Sequence, residues 1–239
     1  MKLIRNIWLL LMVLLTSSCG ELFNLNENEA NPPDGVVMSH HEIDVMVGDS
    51  VFFEAKAYPD SAVVSYRWSF MGDNRVGKLN GNWFHALKTG ETYLKVEAEN
   101  IDLVNDSTYS VSDVCVINVF DWTEEPEQIG YLYETVVYAS LEIDDVDITN
   151  AIDSLQVVAV VKNEVRARAE MKEAYGVNYL QFRIGSHWPG EKATIECYHP
   201  ELHQRFVFQE ITLNGGTYGR LSDLVKLVGY SFKRKVILA

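Results

Sequence analysis

Ile43-Asp44-Val45-Met46-Val47-Gly48-Asp49-Ser50-Val51-Phe52-Phe53-Glu54-Ala55-Lys56-Ala57 decides the fold class. Ile43, Val45 and Val47 alternate with Glu42, Asp44 and Met46, and after the Gly48-Asp49 turn Val51, Phe53, Ala55 and Ala57 fall on one face. Successive side chains of a strand leave opposite faces, so this period of two predicts half-buried strands joined by a turn. Moving outward, Val64, Tyr66, Trp68 and Phe70 alternate with Val63, Ser65, Arg67 and Ser69. Leu94, Val96 and Ala98 do the same against Tyr93, Lys95 and Glu97, a loop is expected over Asn100 to Ser107, and a closing run from Val114 to Phe120 carries Cys115. Short strands separated by Gly, Asn and Asp favour an antiparallel β-sandwich over any βαβ arrangement. No helix of useful length is predicted here.

Residues 122–130, with Glu124, Glu125, Pro126 and Glu127, break the alternation and read as a linker. Beyond them a second β pattern begins. Val137, Ala139, Leu141 and Ile143 share a face, and the continuous apolar run from Val157 to Val161 suits a central strand covered on both sides. Lys162-Asn163-Glu164 reads as a tight turn into Val165, Ala167, Ala169 and Met171, with Glu164, Arg166, Arg168 and Glu170 expected to face water. Leu180, Phe182 and Ile184 follow, then a turn from Gly185 to Gly190, then Ala193, Ile195 and Cys197, a loop at Pro200, and Phe206 to Phe208. Leu221, Leu224, Val225 and Val228 fit helical spacing or a short strand. The fold class expected is all-β, with two β-sandwich domains in tandem over residues 36–121 and 131–239.

The chain opens differently. Lys2 and Arg5 precede an apolar run from Ile7 to Leu15, too short to span a bilayer, which needs about 20 residues. Leu15-Thr16-Ser17-Ser18-Cys19 closes it and resembles the lipobox of a bacterial lipoprotein signal peptide, in the looser spacing of Bacteroidota-type bacteria. That resemblance implies a signal peptide over residues 1–18, removal by a peptidase, acylation of Cys19, and anchoring in a membrane, the outer membrane or cell surface being expected. Two or three acyl chains anchor stably where one does not. The polar stretch over residues 19–35 reads as a flexible tether.

The formal net charge is −14, and loss of Lys2 and Arg5 would lower it by two. Such a surface repels phosphates and anionic headgroups, which argues against nucleic acid as a partner and against electrostatic docking on membranes. With Cys19 assigned to the lipid, Cys115 and Cys197 remain, and each sits inside an apolar strand pattern. Buried free thiols are expected rather than a disulfide.

Several stretches of the first domain resemble bacterial Ig-like domains of the second group. They are Gly48-Asp49, Ala57-Tyr58-Pro59, Tyr66-Arg67-Trp68-Ser69, Leu79-Asn80-Gly81, and the run from His85 to Thr92. The resemblance implies a β-sandwich spacer or adhesive module with Trp68 in its core, alongside Cys115, and implies no catalysis. Val158-Ala159-Val160-Val161-Lys162-Asn163-Glu164-Val165-Arg166 is similar to a hairpin of Bacteroidota surface and secreted proteins, without the Gly and Cys of that pattern.

Few residues could carry chemistry. Asp144, Asp145 and Asp147, with Asn150, crowd oxygen ligands into one loop, and calcium is the cation such a set would hold. The ligand alternation and turn Gly of an EF-hand are missing, so solvated turn carboxylates are the preferred reading and no cofactor is expected. His199-Pro200-Glu201-Leu202-His203 lacks the Glu directly after the first His, and the helix, that a zincin requires, and reads as a loop with exposed His. No Gly-x-Ser-x-Gly occurs. Trp83, Trp188 and Tyr218 lie beside Asn, Pro or Gly, and with Trp122 they fall in expected turns, where a ring can stack on a sugar, enter a partner's pocket, or cap the end of a sandwich. The function expected is a non-enzymatic surface lipoprotein acting in adhesion or ligand binding, with carbohydrate capture as the alternative and a protein or glycan as partner.

Overall fold

The computed structural model describes residues 32–102, 107–126, 130–150 and 155–231. The expected signal segment, Cys19 and most of the tether lie outside them. Among the described residues no α-helix forms, and the chain is all-β. Its first half supplies β1 (Gly35–Met38), β2 (Glu42–Met46), β3 (Ser50–Phe52), β4 (Ala55–Tyr58), β5 (Ser65–Phe70), β6 (Gly77–Asn80), β7 (Trp83–Ala86), β8 (Gly90–Asp102) and β9 (Ser107–Phe120). The alternation of β8 continues past Asn100, so strand occupies both ends of the stretch expected to be a loop. The second half supplies β10 (Tyr133–Ile143), β11 (Val146–Asp147), β12 (Gln156–Val161), β13 (Glu164–Arg168) and β14 (Glu170–Ala174). It ends with β15 (Val177–Ser186), β16 (Glu191–His199), β17 (Gln204–Leu213), β18 (Gly216–Tyr218) and β19 (Val225–Ser231).

Two compact units form, each from several pieces of chain. Of the described residues, one takes in those that fall within Met1–Ser39, Phe53–Ser69 and Leu94–Val114. In it β1 pairs antiparallel with β4, from Gly35 opposite Tyr58 to Met38 opposite Ala55. Val36, Met38, Phe53, Ala57, Leu94, Val96 and Ala98 are buried, and the last three are the inward set of the period-two pattern. Trp68 is half-buried, with its ring 6.2 Å from that of Phe53. Arg67 bridges Glu97 and Glu99, both at 2.7 Å, on the open face.

The other unit comprises His40–Phe52, Phe70–Tyr93 and Cys115–Ala239. Here β2 runs parallel to the end of β9, and β3, β7 and β6 form a three-stranded antiparallel sheet. Gly77 lies so close to Phe84 that a Cβ there would run into its ring. The remaining strands make one ten-stranded sheet with the path β13-β12-β16-β17-β19-β10-β15-β14, and β11 and β18 pair on β10.

The two ends of that path are neighbours in sequence. β13 pairs with β12, β14 pairs with β15, and Ala169 alone separates them, its N–H bonded to Val157 O at 2.9 Å. One stretch of chain thus changes partners at a bend, and the sheet nearly closes into a barrel where two facing sheets were expected. Alternating inward side chains look the same in either architecture, so the pattern could not separate them. Val137, Ala139, Leu141, Leu180, Phe182, Ile184, Ala193, Ile195 and Leu227 fill the interior. Each Val, Leu, Ile or Phe among them contributes about 1.5–3 kcal/mol on burial. Val157, Ala159 and Val161 join them from β12, while Val158 faces Phe120, Trp122 and Tyr198 on the other side. That covering of both faces is what the unbroken apolar run requires.

The β12–β13 hairpin corrects one expectation. Arg166 does not face water; its side chain is 4% exposed. The pairing jumps from Ala159 opposite Ala167 to Val160 opposite Val165, so Arg166 is the extra residue of a β-bulge. The bulge shifts the alternation by one and buries Arg166 and Ala167 together. Arg168 is likewise withdrawn, donating to the carbonyl oxygens of Trp122 and Glu124. The ambiguous segment at 221–228 resolves as a turn leading into β19, which lies parallel to β10 from Ala139 opposite Val225 to Ile143 opposite Gly229.

Candidate functional site

Val137 and Ala139 are fully buried, so the strand alternation turns Tyr138 of β10 to the outside of the sheet. Tyr179, on β15, brings its ring to 5.8 Å from that of Tyr138. β14 and β15 are joined by Tyr175-Gly176, both at positive φ (56° and 77°), the backbone of a tight hairpin. Tyr175 at its tip is 96% exposed. The connection from β18 to β19 lies against β10: a Cβ on Gly219 would sit 2.6 Å from Tyr138 O. Gly219 has φ 78°, so glycine suits this position both in conformation and in space. Arg220 N donates to Asp223 O at 3.1 Å and Asp223 N to Arg220 O at 2.9 Å, which fixes the loop.

Tyr138, Tyr175, Arg220, Leu221 and Ser222 line the resulting groove of about 470 Å³. It is largely apolar and aromatic, with the Arg220 guanidinium, the Ser222 hydroxyl and the phenol tips of the two tyrosines as its polar groups. Tyrosine rings offer flat surfaces to the C–H face of a sugar, and the polar tips and Ser222 can meet its hydroxyl groups.

A second aromatic cluster surrounds Trp188, which is 51% exposed in the turn between β15 and β16. Arg166 lies 4.6 Å over the Tyr131 ring, Tyr131 packs 5.0 Å from His187, and His187 5.8 Å from Trp188. Lys162 sits 4.9 Å over Trp188 itself. Below them Glu191, 3% exposed, accepts from His187 N at 2.9 Å and stands 3.8 Å from Arg166 Nη1. Arg166 Nε stands 2.8 Å from Glu164, and Nη1 donates to Gly185 O at 3.3 Å. Burial pushes the Glu164 carboxyl up, but hydrogen bonds from Tyr131 and Arg166 outweigh it and hold the group below its ordinary value. With Lys162 and His187 packed on it, Trp188 offers less open ring than the Tyr175 tip.

The other sequence-predicted residues are dispersed. Trp83, 45% exposed on β7, pairs with Phe52 at 5.1 Å. Tyr218, 40% exposed, lies opposite Val137 on β18. Trp122 is 5% exposed and packs on Phe120 at 4.7 Å, so it is no ligand platform. Cys115 and Cys197 are buried and free, and burial pushes the Cys197 thiol up to about 12. Asp144 and Asp145 occupy the β10–β11 turn at φ 49° and 64°, and Asp147 accepts from Thr149 N at 2.8 Å. Among the described residues no group of three or more His, Cys, Asp or Glu is placed to hold a metal ion.

His199 and His203 are half-buried where exposed loop residues were expected. His199 Nδ1 accepts from Leu202 N at 3.4 Å, and His203 Nδ1 lies 3.4 Å from Tyr198 Oη and edge-on to His40 at 6.3 Å. Burial lowers both His40 and His203, and the charge of His40 lowers His203 further against the opposing pull of Asp49.

Tyr138, Tyr175 and Arg220 were not singled out in the sequence, and Leu221 was read only as part of a helix or short strand. Tyr175 carried a signal, a turn glycine directly after an aromatic. Tyr138 carried none, because its place in the groove depends on the return of the chain beside β10.

None of the known protein families matches the chain, and no curated protein matches it. Among solved structures, the SGBP-B protein of a Bacteroides ovatus mixed-linkage glucan utilization locus, in complex with a mixed-linkage heptasaccharide, aligns over 83% of this chain at 10% identity and TM-score 0.24. The chain spans about half of that protein, 48% of its length. The titin domains Z1Z2 in complex with telethonin align over 84% of this chain and 98% of that one, at 8% identity and TM-score 0.25. Immunoglobulin domains 1–4 of Sidekick-1 align over 82% and 51%, at 11% and 0.21. Likeness at this level gives no residue-level correspondence.

Proposed function

We propose that this is a non-enzymatic carbohydrate-binding protein of the cell surface, holding glycan in the groove between the Tyr175 hairpin and the Arg220 loop. The observation that carries this reading is the groove itself: about 470 Å³, walled by Tyr138, Tyr175 and Leu221, with Ser222 and Arg220 as its polar groups. Sugar rings are amphipathic, and stacking plus a few fixed hydrogen bonds is how a shallow site holds them. Affinity electrophoresis against a panel of soluble polysaccharides tests it. Tyr175→Ala, at a 96% exposed position, leaves the fold intact and weakens retention about 5- to 10-fold. Equal retention of wild type and variant on every polysaccharide would refute the reading.

The same proposal places the protein on a lipid at Cys19, exported by residues 1–18 and tethered by residues 19–35, with modules at 36–121 and 131–239 joined at 122–130. Cys19→Ala should abolish incorporation of labelled palmitate in cells, and limited proteolysis should cut within 122–130. An adhesive role toward a protein partner is the second reading, favoured by the exposed Phe52–Trp83 pair on the β3–β7 face.

A further inference from the structure

The groove contains a positive charge that has no ion-pair partner among the described residues. The sequence holds 34 acidic residues against 20 basic ones. Arg67, Arg75, Arg166, Arg168, Arg183 and Arg205 each lie within ion-pair distance of a carboxylate. Among the described arginines, Arg220 is the one without such a partner. It is exposed and stands at the lip of an aromatic groove. Its loop is fixed by the reciprocal backbone bonds to Asp223 and by the contact of Gly219 with Tyr138 O, so the guanidinium is carried on a set backbone rather than a loose one.

We infer that the groove selects an acidic glycan, with a sugar face on Tyr138 and Tyr175 and an anionic substituent, a uronate carboxylate or a sulfate ester, on Arg220. This rests on the glycan-binding reading and adds its substrate class. The guanidinium fork matches the two oxygens of such a group, and charge-assisted hydrogen bonds of that kind are stronger than neutral ones. A net charge of −14 repels dense polyanions at long range, so the ligand carries isolated acidic groups on an otherwise neutral chain. Ser222, next but one to Arg220, supplies a hydroxyl for the sugar itself.

Titration calorimetry with the whole mature protein tests this on paired probes: a xylo-oligosaccharide carrying a single glucuronate against its methyl ester, and a monosulfated neutral oligosaccharide against its desulfated form. One acidic member of a pair should bind about 10- to 100-fold tighter than its masked counterpart. Arg220→Met should remove that difference, and Arg220→Lys should retain part of it, while Tyr175→Ala weakens both members. Whichever pair shows the difference identifies carboxylate or sulfate as the anion. If acidic and masked probes bind alike and Tyr175→Ala weakens both, the glycan reading stands and the acidic selectivity falls. A preference for acid that survives Arg220→Met also overturns the inference. Binding of none of the four probes, with neutral polysaccharides retained in affinity electrophoresis, overturns the acidic class alone; with nothing retained, the groove reading falls as well.

Discussion

Removing Arg166 should expose how much of the barrel depends on one buried charge. Arg166 and Glu191 are 4% and 3% exposed, so neither can be solvated without local opening. At 3.8 Å and an effective dielectric near 20, their attraction is about 4 kcal/mol. Glu164, at 53% exposure, contributes little because water screens it. Arg166→Met keeps most of the side-chain volume but strands the Glu191 carboxylate, and breaking a buried pair in this way costs about 3–5 kcal/mol. Arg166→Met with Glu191→Leu removes both charges and should recover most of that loss. Urea unfolding followed by tryptophan fluorescence and far-UV circular dichroism gives the midpoints, with the m-value checked for constancy. The double variant should lie well above the single one. If the two substitutions add, or if Arg166→Met costs under about 1 kcal/mol, the pair is not the coupled unit described here.

Gly219→Ala should lower stability by about 1–3 kcal/mol and abolish glycan retention, because a Cβ at φ 78° would meet Tyr138 O at 2.6 Å and lift the Arg220 loop. Gly216→Ala, at φ 80° with open space around it, should cost about 1 kcal/mol and leave retention intact; thermal melts with affinity gels separate the two. Acidification should weaken the fold through His40 and His203. Their native values lie below 6.5, so between 6.5 and those values the unfolded chain binds more protons and the melting temperature falls as pH drops. Glu196 acts in the opposite sense, since burial raises its carboxyl and the folded chain takes up that proton above the ordinary value of 4.5, before the unfolded chain does. The double variant His40→Gln, His203→Gln should therefore flatten the melting curve from pH 7 to 5.5, and an unchanged slope would assign the effect elsewhere.

The strands were legible because each carries its own evidence: a period of two along β2, β8 and β10, an unbroken apolar run for β12, and turn residues between them. Burial of Cys115 and Cys197 followed from the same pattern. Arg166 was misread as a water-facing residue because a bulge inserts one residue without changing the sequence signal. Trp122 was expected as a ring presented in a turn, yet it is buried against Phe120.

Residue order by itself determined that this chain is built of strands and, away from the bulge at Arg166, which apolar side chains turn inward, since those follow from the alternation of a pleated backbone and the apolar atoms it must hide. Tertiary structure decided that the strand bent at Ala169 joins the two ends of one sheet, and that Tyr138, Tyr175 and Arg220 border a common groove. Those choices depend on pairings between residues far apart in the chain, where hydrogen bonding and packing select among partners that local propensity leaves equivalent.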